Sequence, residues 1–268
     1  MPDIKPLAVV TGASSGIGFE LARQLAERGF DLVVNAEDHD RLHAAALRFR
    51  EAGAQVEVVQ ADLRAYDEVE RLYAVVAAEG RPVAVAALNA RVGCGGSFHD
   101  NVLADELEVV DLNVRSTVHL AKRVLQGMVA VDAGYVLLSS SIAAMMPGSY
   151  QAMYNASKSF LQAFTQALQN ELKNTGVSIT ALMPGPTETD IFHRAGMDDT
   201  KVGQQVKDDP AHVAEQGLDA LFAGKNRIVA GSAKTKAQGL ALKLAPDAAK
   251  AEVHRRMAEP TRDHDSRD

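Results

Sequence analysis

The sequence predicts an α/β domain: one mostly parallel sheet with helices on both faces. Three observations predict it. Short β-branched runs alternate with longer helical segments from the start of the chain, as in βαβ units. The strand cores are continuously apolar, as strands buried on both faces are. No linker-like stretch and no tandem repeat divides the 268 residues, a length that suits one large domain.

The elements follow in order. Leu7–Val10 is an apolar run ending in a glycine-rich turn, and Gly16–Arg28 has helical periodicity. Asp31–Val34 is a strand, Arg41–Glu51 a helix, Gln55–Val59 a strand and Tyr66–Glu79 a helix. Val83–Leu88 is the next strand. Asp105–Gln126 carries Leu107, Val110, Val114, Val118 and Leu125 at helical spacing. Tyr135–Leu138 and Val177–Met183 are strands around the helix Met153–Lys173, and the helix Pro210–Ala223 precedes the strand Arg227–Ala230. Thr187–Asp209 is polar and aperiodic, as a loop over a site would be. Ala233–Met257 reads as one or two helices broken near Pro246, with an apolar stripe of Leu240, Leu242 and Leu244. Packing on the body explains that stripe more simply than a membrane or a partner. The expected organisation is a catalytic domain over 1–232, a helical extension over 233–258 and a disordered tail over 259–268.

Composition narrows the function. The net charge of −7, the lack of a Lys/Arg patch and the absence of Trp argue against nucleic acid as the main partner. Cys94 is the only cysteine, so no internal disulfide forms, and with no histidine pattern nearby it reads as an ordinary loop thiol. No signal peptide or membrane-length apolar stretch is visible. The expectation is a cytoplasmic protein acting on a small molecule.

The strongest local signal is Thr11-Gly12-Ala13-Ser14-Ser15-Gly16-Ile17-Gly18, between the first strand and the first helix. A dinucleotide pyrophosphate needs backbone N–H donors, close backbone approach and the positive end of a helix dipole. Gly12, Gly16 and Gly18 allow the approach, Ser14 and Ser15 add hydroxyls, and Ile17 opens the helix. An acid about twenty residues further on should hold the adenosine ribose. Glu37 stands there beside Asp38, and no Arg or Lys occupies the strand tip to hold a 2′-phosphate. Charge therefore favours NAD over NADP, although the two acids are also compatible with a solvated loop. Asp62 and Leu63, after the third strand, could meet the adenine edge; Asp62 could equally cap the next helix.

A second constellation lies in Tyr154-Asn155-Ala156-Ser157-Lys158. Tyr154 and Lys158 stand four apart on one helical face. A phenol of ordinary pKa about 10 is a poor acid or base at neutral pH, and a nearby cation brings it toward working range. Lys158 could also hold the nicotinamide ribose. Ser141, upstream in Ser139-Ser140-Ser141, would donate to the substrate oxygen, and Asn113 could anchor a relay water.

In these motifs the chain resembles the short-chain dehydrogenase/reductase family, over about residues 5 to 232. The glycine turn matches Thr11–Gly18, the Tyr-x-x-x-Lys pair Tyr154 and Lys158, the catalytic serine Ser141 and the helical asparagine Asn113. Asn89 and Ala90 keep their places after the fourth strand, and Pro184-Gly185 matches the Pro-Gly that would lie against the nicotinamide. Thr187 and Thr189 follow, the latter matching a threonine that contacts the carboxamide. The resemblance implies a single Rossmann-type, doubly wound domain and a homodimer or homotetramer built partly on Asp105–Gln126 and Met153–Lys173. At the second strand tip the family's NAD-selecting Asp position is Ala36, and its NADP-selecting Arg position is Glu37.

One position departs. The family commonly has Asn-Asn-Ala-Gly after its fourth strand, and here stand Leu88-Asn89-Ala90-Arg91. Arg91 either points to solvent or contacts an anionic group of cofactor or substrate. The expected function is hydride transfer between a nicotinamide cofactor and an alcohol or carbonyl. A cofactor-binding sensor, or an epimerase or dehydratase on the same fold, is the alternative. Gly93–Phe98, Met145–Met153 and Thr187–Asp209 should shape the substrate pocket, with Met145, Met146, Met153, Phe192 and Met197 giving it an apolar, adaptable lining.

Overall fold

The structure, a computed structural model, describes residues 4–260. Its first half runs β1 (Leu7–Thr11), α1 (Gly16–Glu27), β2 (Asp31–Ala36), α2 (His39–Glu51), β3 (Val56–Gln60), α3 (Tyr66–Ala78) and β4 (Val83–Leu88). Then come α4 (Leu103–Val110), a π-helical turn over Asp111–Ser116, α5 (Thr117–Ala130), β5 (Gly134–Ser139), a short 3-10 turn over Ile142–Met145 and α6 (Ala152–Glu171). The chain closes with β6 (Val177–Pro184), α7 (Ile191–Arg194), α8 (Lys201–Gln204), α9 (Pro210–Phe222), β7 (Arg227–Ala230), α10 (Ala233–Leu244) and α11 (Asp247–Ala258).

All neighbouring strands pair in parallel, in the order β3-β2-β1-β4-β5-β6-β7. From β1 the chain winds outward through β2 and β3, then returns to place β4 on the other side. The crossovers put α1, α2 and α9 on one face and α3 and α5 on the other. The strand ends part between β1 and β4, which is where an open α/β sheet offers a crevice.

Residue parity along each strand builds the two cores. Ala8, Val10, Leu32, Val34, Val85 and Ala87 face α1, α2 and α9, packing on Ile17, Leu21, Leu25, Phe49, Val213 and Leu218. Their neighbours Leu7, Val9, Val33, Ala86 and Leu88 face the other way, onto Leu72, Val76, Leu120 and Val124 of α3 and α5. Two-sided burial is why these strands read as unbroken apolar runs.

Three expectations need correction. The segment expected as one helix over Asp105–Gln126 is α4 and α5 joined by the π-helical turn. One extra residue per turn leaves apolar spacing legible on either side, so periodicity does not reveal it. The polar loop Thr187–Asp209 contains α7 and α8 and is pinned at its ends by a bridge between Thr187 and Asp208. At the chain end, Glu259 accepts hydrogen bonds from the Tyr150 hydroxyl and Arg255, and Pro260 bridges to Thr200. The rest of the expected tail, residues 261–268, lies outside the described residues.

Candidate active site

The crevice holds two adjoining cavities. The first, about 820 Å³, is lined by Gly12, Ser14, Ser15, Ile17, Glu37, Asp62, Leu63, Asn89, Ala90 and Thr189, among others. The second, about 720 Å³, is lined by Ser141, Tyr154, Pro184, Gly185, Thr187 and Thr189 with a mostly apolar remainder. Arg91, Thr189 and Ile191 line both and mark the seam.

A polar ladder across the strand ends shapes the first cavity. Thr11 Oγ1 accepts from the backbone N–H groups of Asn89 and Ala90, each at 3.0 Å. Asn89 Nδ2 donates to Thr11 O, and its Oδ1 accepts from Ser139 Oγ at 3.0 Å. On the other side, Asn35 Nδ2 donates to the carbonyls of Val59 and Ala61. Buried polar groups in an apolar sheet must be paired, and here they tie three loops into a rigid rim.

The glycine turn is packed as a phosphate cradle requires. Gly12 has φ +67°, where L residues are strained, and a Cβ there would lie 3.0 Å from Ala90 Cα. A Cβ on Gly18 would stand 2.0 Å from Gly12 O, so only glycine lets α1 press against the turn. Ser15 caps α1 without a side-chain hydrogen bond, unlike Asp38 on α2 or Asp209 on α9. The first-turn amides of α1 are thus left for an anion at the positive helix end. These features fit a dinucleotide.

The second strand tip carries more charge than its local sequence shows. Glu37 is exposed and pairs with Arg64 at 3.1 Å and Arg194 at 3.4 Å. Arg41 lies between Asp38 and Asp190. The expectation that no cation stands at this tip is therefore corrected: three arginines arrive from α2, from the turn after β3 and from α7. Asp62 does not cap α3; its Oδ1 accepts from Arg64 N and Nε, and the N-cap is Ala65.

Behind Tyr154, Lys158 is 1% exposed and donates to Ser139 O at 2.9 Å. Burial, aided by the Arg91 cation, holds its pKa well below the ordinary lysine value. Its Nζ lies 5.5 Å from the Tyr154 ring centroid. Burial raises the Tyr154 phenol, while the Arg91 guanidinium and the Ser141 hydroxyl beside it pull the pKa back down. The cation that most favours phenolate in this structure is therefore Arg91. Ser141 heads the 3-10 turn, accepting from Ala143 N and donating to Pro184 O at 3.3 Å.

Asn113 sits in the π-helical turn, fully buried. Its Oδ1 accepts from Val92 N, and its Nδ2 donates to Val92 O and to Ser157 Oγ. Both amide protons are spent on protein, so the side chain holds the strand-end loop against α6 and has no donor left for a water. Cys94 is protonated at neutral pH: burial and the nearby carboxylates of Glu106 and Asp105 push its thiol up to about 11.

The comparisons with known proteins agree with this geometry. The sequence profile of the family described as short chain dehydrogenase matches residues 6–200. A putative ketoacyl reductase of Streptomyces coelicolor is 36% identical over 187 residues, covering 68% of this chain and 71% of that one. The chain belongs to the short-chain dehydrogenase/reductase family. An NADP-dependent 3-hydroxy acid dehydrogenase, YdfG, of Salmonella typhi is 29% identical over 220 residues, 81% of this chain and 87% of that one. Among solved structures, a short-chain dehydrogenase from Sphingobium yanoikuyae in complex with NADPH superposes with TM-score 0.78 at 29% identity, covering 84% of this chain and 87% of that one. A family member from Burkholderia phymatum in complex with NAD gives TM-score 0.81 at 24% identity over 90% and 92% of the two chains, which speaks to the fold.

This short-chain dehydrogenase/reductase is thus an oxidoreductase of the family type, with the Rossmann fold and a nicotinamide cofactor. No helix among the described residues is long and apolar enough to cross a membrane.

Sequence reasoning missed part of the substrate pocket. Gln238 of α10 and His254 and Met257 of α11 line it, and only chain reversal after β7 brings them there. Of the expected lining, Met146 and Phe192 face the pocket. Met197 packs instead with Ala195, Val202 and Ala258, and Met145 against Ile142 and Leu242.

Proposed function

We propose that this enzyme interconverts an alcohol and a carbonyl compound with NAD as its cofactor. The observation that carries the reading is the pair Ser141 and Tyr154 on the wall of the second cavity, with Lys158 packed against the Tyr154 ring, next to the cleft lined by the glycine turn.

In reduction, the substrate oxygen rests between the Ser141 and Tyr154 hydroxyls. When bound, the reduced nicotinamide supplies a hydride, two electrons and one hydrogen, to the carbonyl carbon. Tyr154 releases its proton to the oxygen as charge develops there, which completes the alcohol. Oxidation runs in reverse and needs Tyr154 as phenolate, so it rises with pH through the phenol pKa. Lys158 holds ribose hydroxyls, Asn113 acts as a positioning residue through Val92 and Ser157, and Ser141 turns from Pro184 O toward the substrate. Gly12, Ser14, Ser15, Gly16, Ile17 and Gly18 take the pyrophosphate; Glu37, Asp62 and Leu63 take the adenosine half; Asn89, Ala90, Pro184, Gly185, Thr187 and Thr189 border the nicotinamide half.

The preference for NAD rests on the carboxylates Glu37, Asp38, Asp62, Glu108 and Asp190, which outnumber Arg41, Arg64 and Arg194 around the strand tip. Glu37 accepts from ribose hydroxyls and repels a 2′-phosphate. Replacing it frees Arg194, while Arg64 stays paired with Asp62 and Glu108. Glu37→Ala is expected to move the ratio of kcat/KM for NAD over NADP toward NADP by roughly 10- to 100-fold, the effect of losing a charged hydrogen-bond acceptor and gaining one free cation. An unchanged ratio would place cofactor choice elsewhere.

The exposed Leu103 and Leu107 of α4 and Phe160 of α6 offer apolar surface for self-association into a dimer or tetramer, which sedimentation would read directly.

A further inference from the structure

Arg91 replaces the glycine of the family pattern at the centre of the site. It is half-buried and lines both cavities, so the side chain does not simply point to bulk solvent. Its Nη1 donates to Asn89 Oδ1 at 3.1 Å, in direct continuation of the polar ladder. Its guanidinium lies beside the Tyr154 phenol.

Among the described residues, no carboxylate pairs with Arg91. The contrast with its surroundings is plain, because Arg41, Arg64 and Arg194 at the rim of the same crevice each hold at least one. Asp and Glu also outnumber Lys and Arg by 35 to 28 in this chain, so carboxylates are not scarce. A guanidinium carries five N–H donors in a planar fork shaped for a carboxylate, and this one meets only Asn89 Oδ1 and the Tyr154 hydroxyl among the described residues. A guanidinium held partly out of water without an anion makes a site that gains when an anion enters.

We propose that Arg91 anchors a carboxylate of the substrate, which makes the substrate pair a hydroxy acid and an oxo acid. This rests on the hydride-transfer reading given above. The reacting oxygen sits at Tyr154 and Ser141, and Arg91 stands next to Tyr154, so the carboxylate lies one or two carbons from the reacting carbon. The chain beyond it runs into the apolar part of the pocket, past Met146, Phe192 and Met257. The carboxylate is unchanged by the reaction; hydride and proton go to the carbonyl as before. A cofactor phosphate is the less suited anion, because the free amides of α1 and the hydroxyls of Ser14 and Ser15 gather at the glycine turn, whereas Arg91 is gathered with Tyr154, Asn89 and Lys158.

The test compares 2-oxohexanoate and 3-oxohexanoate with hexan-2-one and methyl 2-oxohexanoate, at saturating reduced cofactor, in wild type, Arg91→Ala and Arg91→Lys. Wild type should favour one oxo acid over its neutral counterparts by about 100-fold in kcat/KM, the effect of one partly exposed charge-assisted pair. Arg91→Ala should bring that ratio near one, chiefly through KM, and Arg91→Lys should retain part of it. Any change in the Tyr154 pKa acts on acids and neutral ketones alike, so the ratio isolates the anchor. A wild type that prefers neutral ketones overturns the proposal and leaves the hydride-transfer reading standing. So does an Arg91→Ala variant that keeps the ratio but binds NAD more weakly, which would assign Arg91 to the cofactor. A binding arm separates the two readings: the NAD-loaded protein should melt higher with 2-hydroxyhexanoate than with hexan-2-ol, and Arg91→Ala should abolish the difference. If that holds while no carbonyl is turned over, the anchor stands and the hydride-transfer reading fails; if the difference is missing in wild type, the anchor fails.

Discussion

Tyr154→Phe is expected to lower kcat by about 10²- to 10⁴-fold, the usual contribution of a positioned general acid or base. NAD affinity and melting temperature should stay near those of wild type. The ring remains to pack between Lys158 and the pocket wall, and only the oxygen is lost. The loss falls on the chemical step because the phenol proton is the one the substrate oxygen needs. Burial raises the phenol pKa and Arg91 with Ser141 only partly offsets it, so the phenol is held protonated and ready to donate in reduction. Steady-state kinetics with a calorimetric NAD titration on the same sample checks both halves. A variant with more than a tenth of wild-type turnover would remove Tyr154 from the mechanism.

Gly18→Ala should weaken cofactor binding by on the order of 100-fold in Kd, the effect of losing one or two hydrogen bonds to a charged phosphate at about 1.5–3 kcal/mol each. Its Cβ would meet Gly12 O at 2.0 Å and Asn89 Nδ2 at 2.5 Å. The carbonyl belongs to the backbone of the phosphate turn, so α1 must back away from the turn to relieve the clash. The strain itself costs about 1–3 kcal/mol of stability. Gly127→Ala is the matched control. Gly127 lies in α5, and an added Cβ would meet nothing within 4 Å. Helix propensity alone then raises stability by about 0.5–1 kcal/mol with NAD binding unchanged. Equal NAD affinity in the Gly18→Ala variant would contradict the packing account of the turn.

The fold was legible because two-sided burial writes itself into the sequence. β4 and β7 match their expected bounds residue for residue, and most other elements agree within two residues. The glycine turn was legible for a related reason: strand, turn and helix must follow one another locally to make a phosphate cradle. The π-helical turn at Asn113 was not, since one inserted residue leaves the apolar spacing on either side intact. The arginines around Glu37 were not, because Arg64 and Arg194 lie far from it in sequence and reach it only through folding. His254 shows the same limit. It lies near the chain end with no motif around it, yet α11 buries it against Ser149 O at the edge of the substrate pocket. Arg91 stood between the two cases: its departure from the family pattern was visible at once, but its inward direction needed the structure.

Deuterium transfer tests the central claim most directly. Reduced NAD labelled with deuterium at the transferring carbon is incubated with the enzyme and the panel of oxo acids and ketones, and the products are read by mass spectrometry and NMR. Hydride transfer predicts one deuterium on the carbinol carbon of the product alcohol, formed with wild type and formed about 10²- to 10⁴-fold more slowly with Tyr154→Phe. Tight cofactor binding with no deuterium in any product would contradict it and point to a cofactor-binding sensor, whereas a substrate epimerised or dehydrated with the cofactor returned unchanged would assign the site to internal rearrangement.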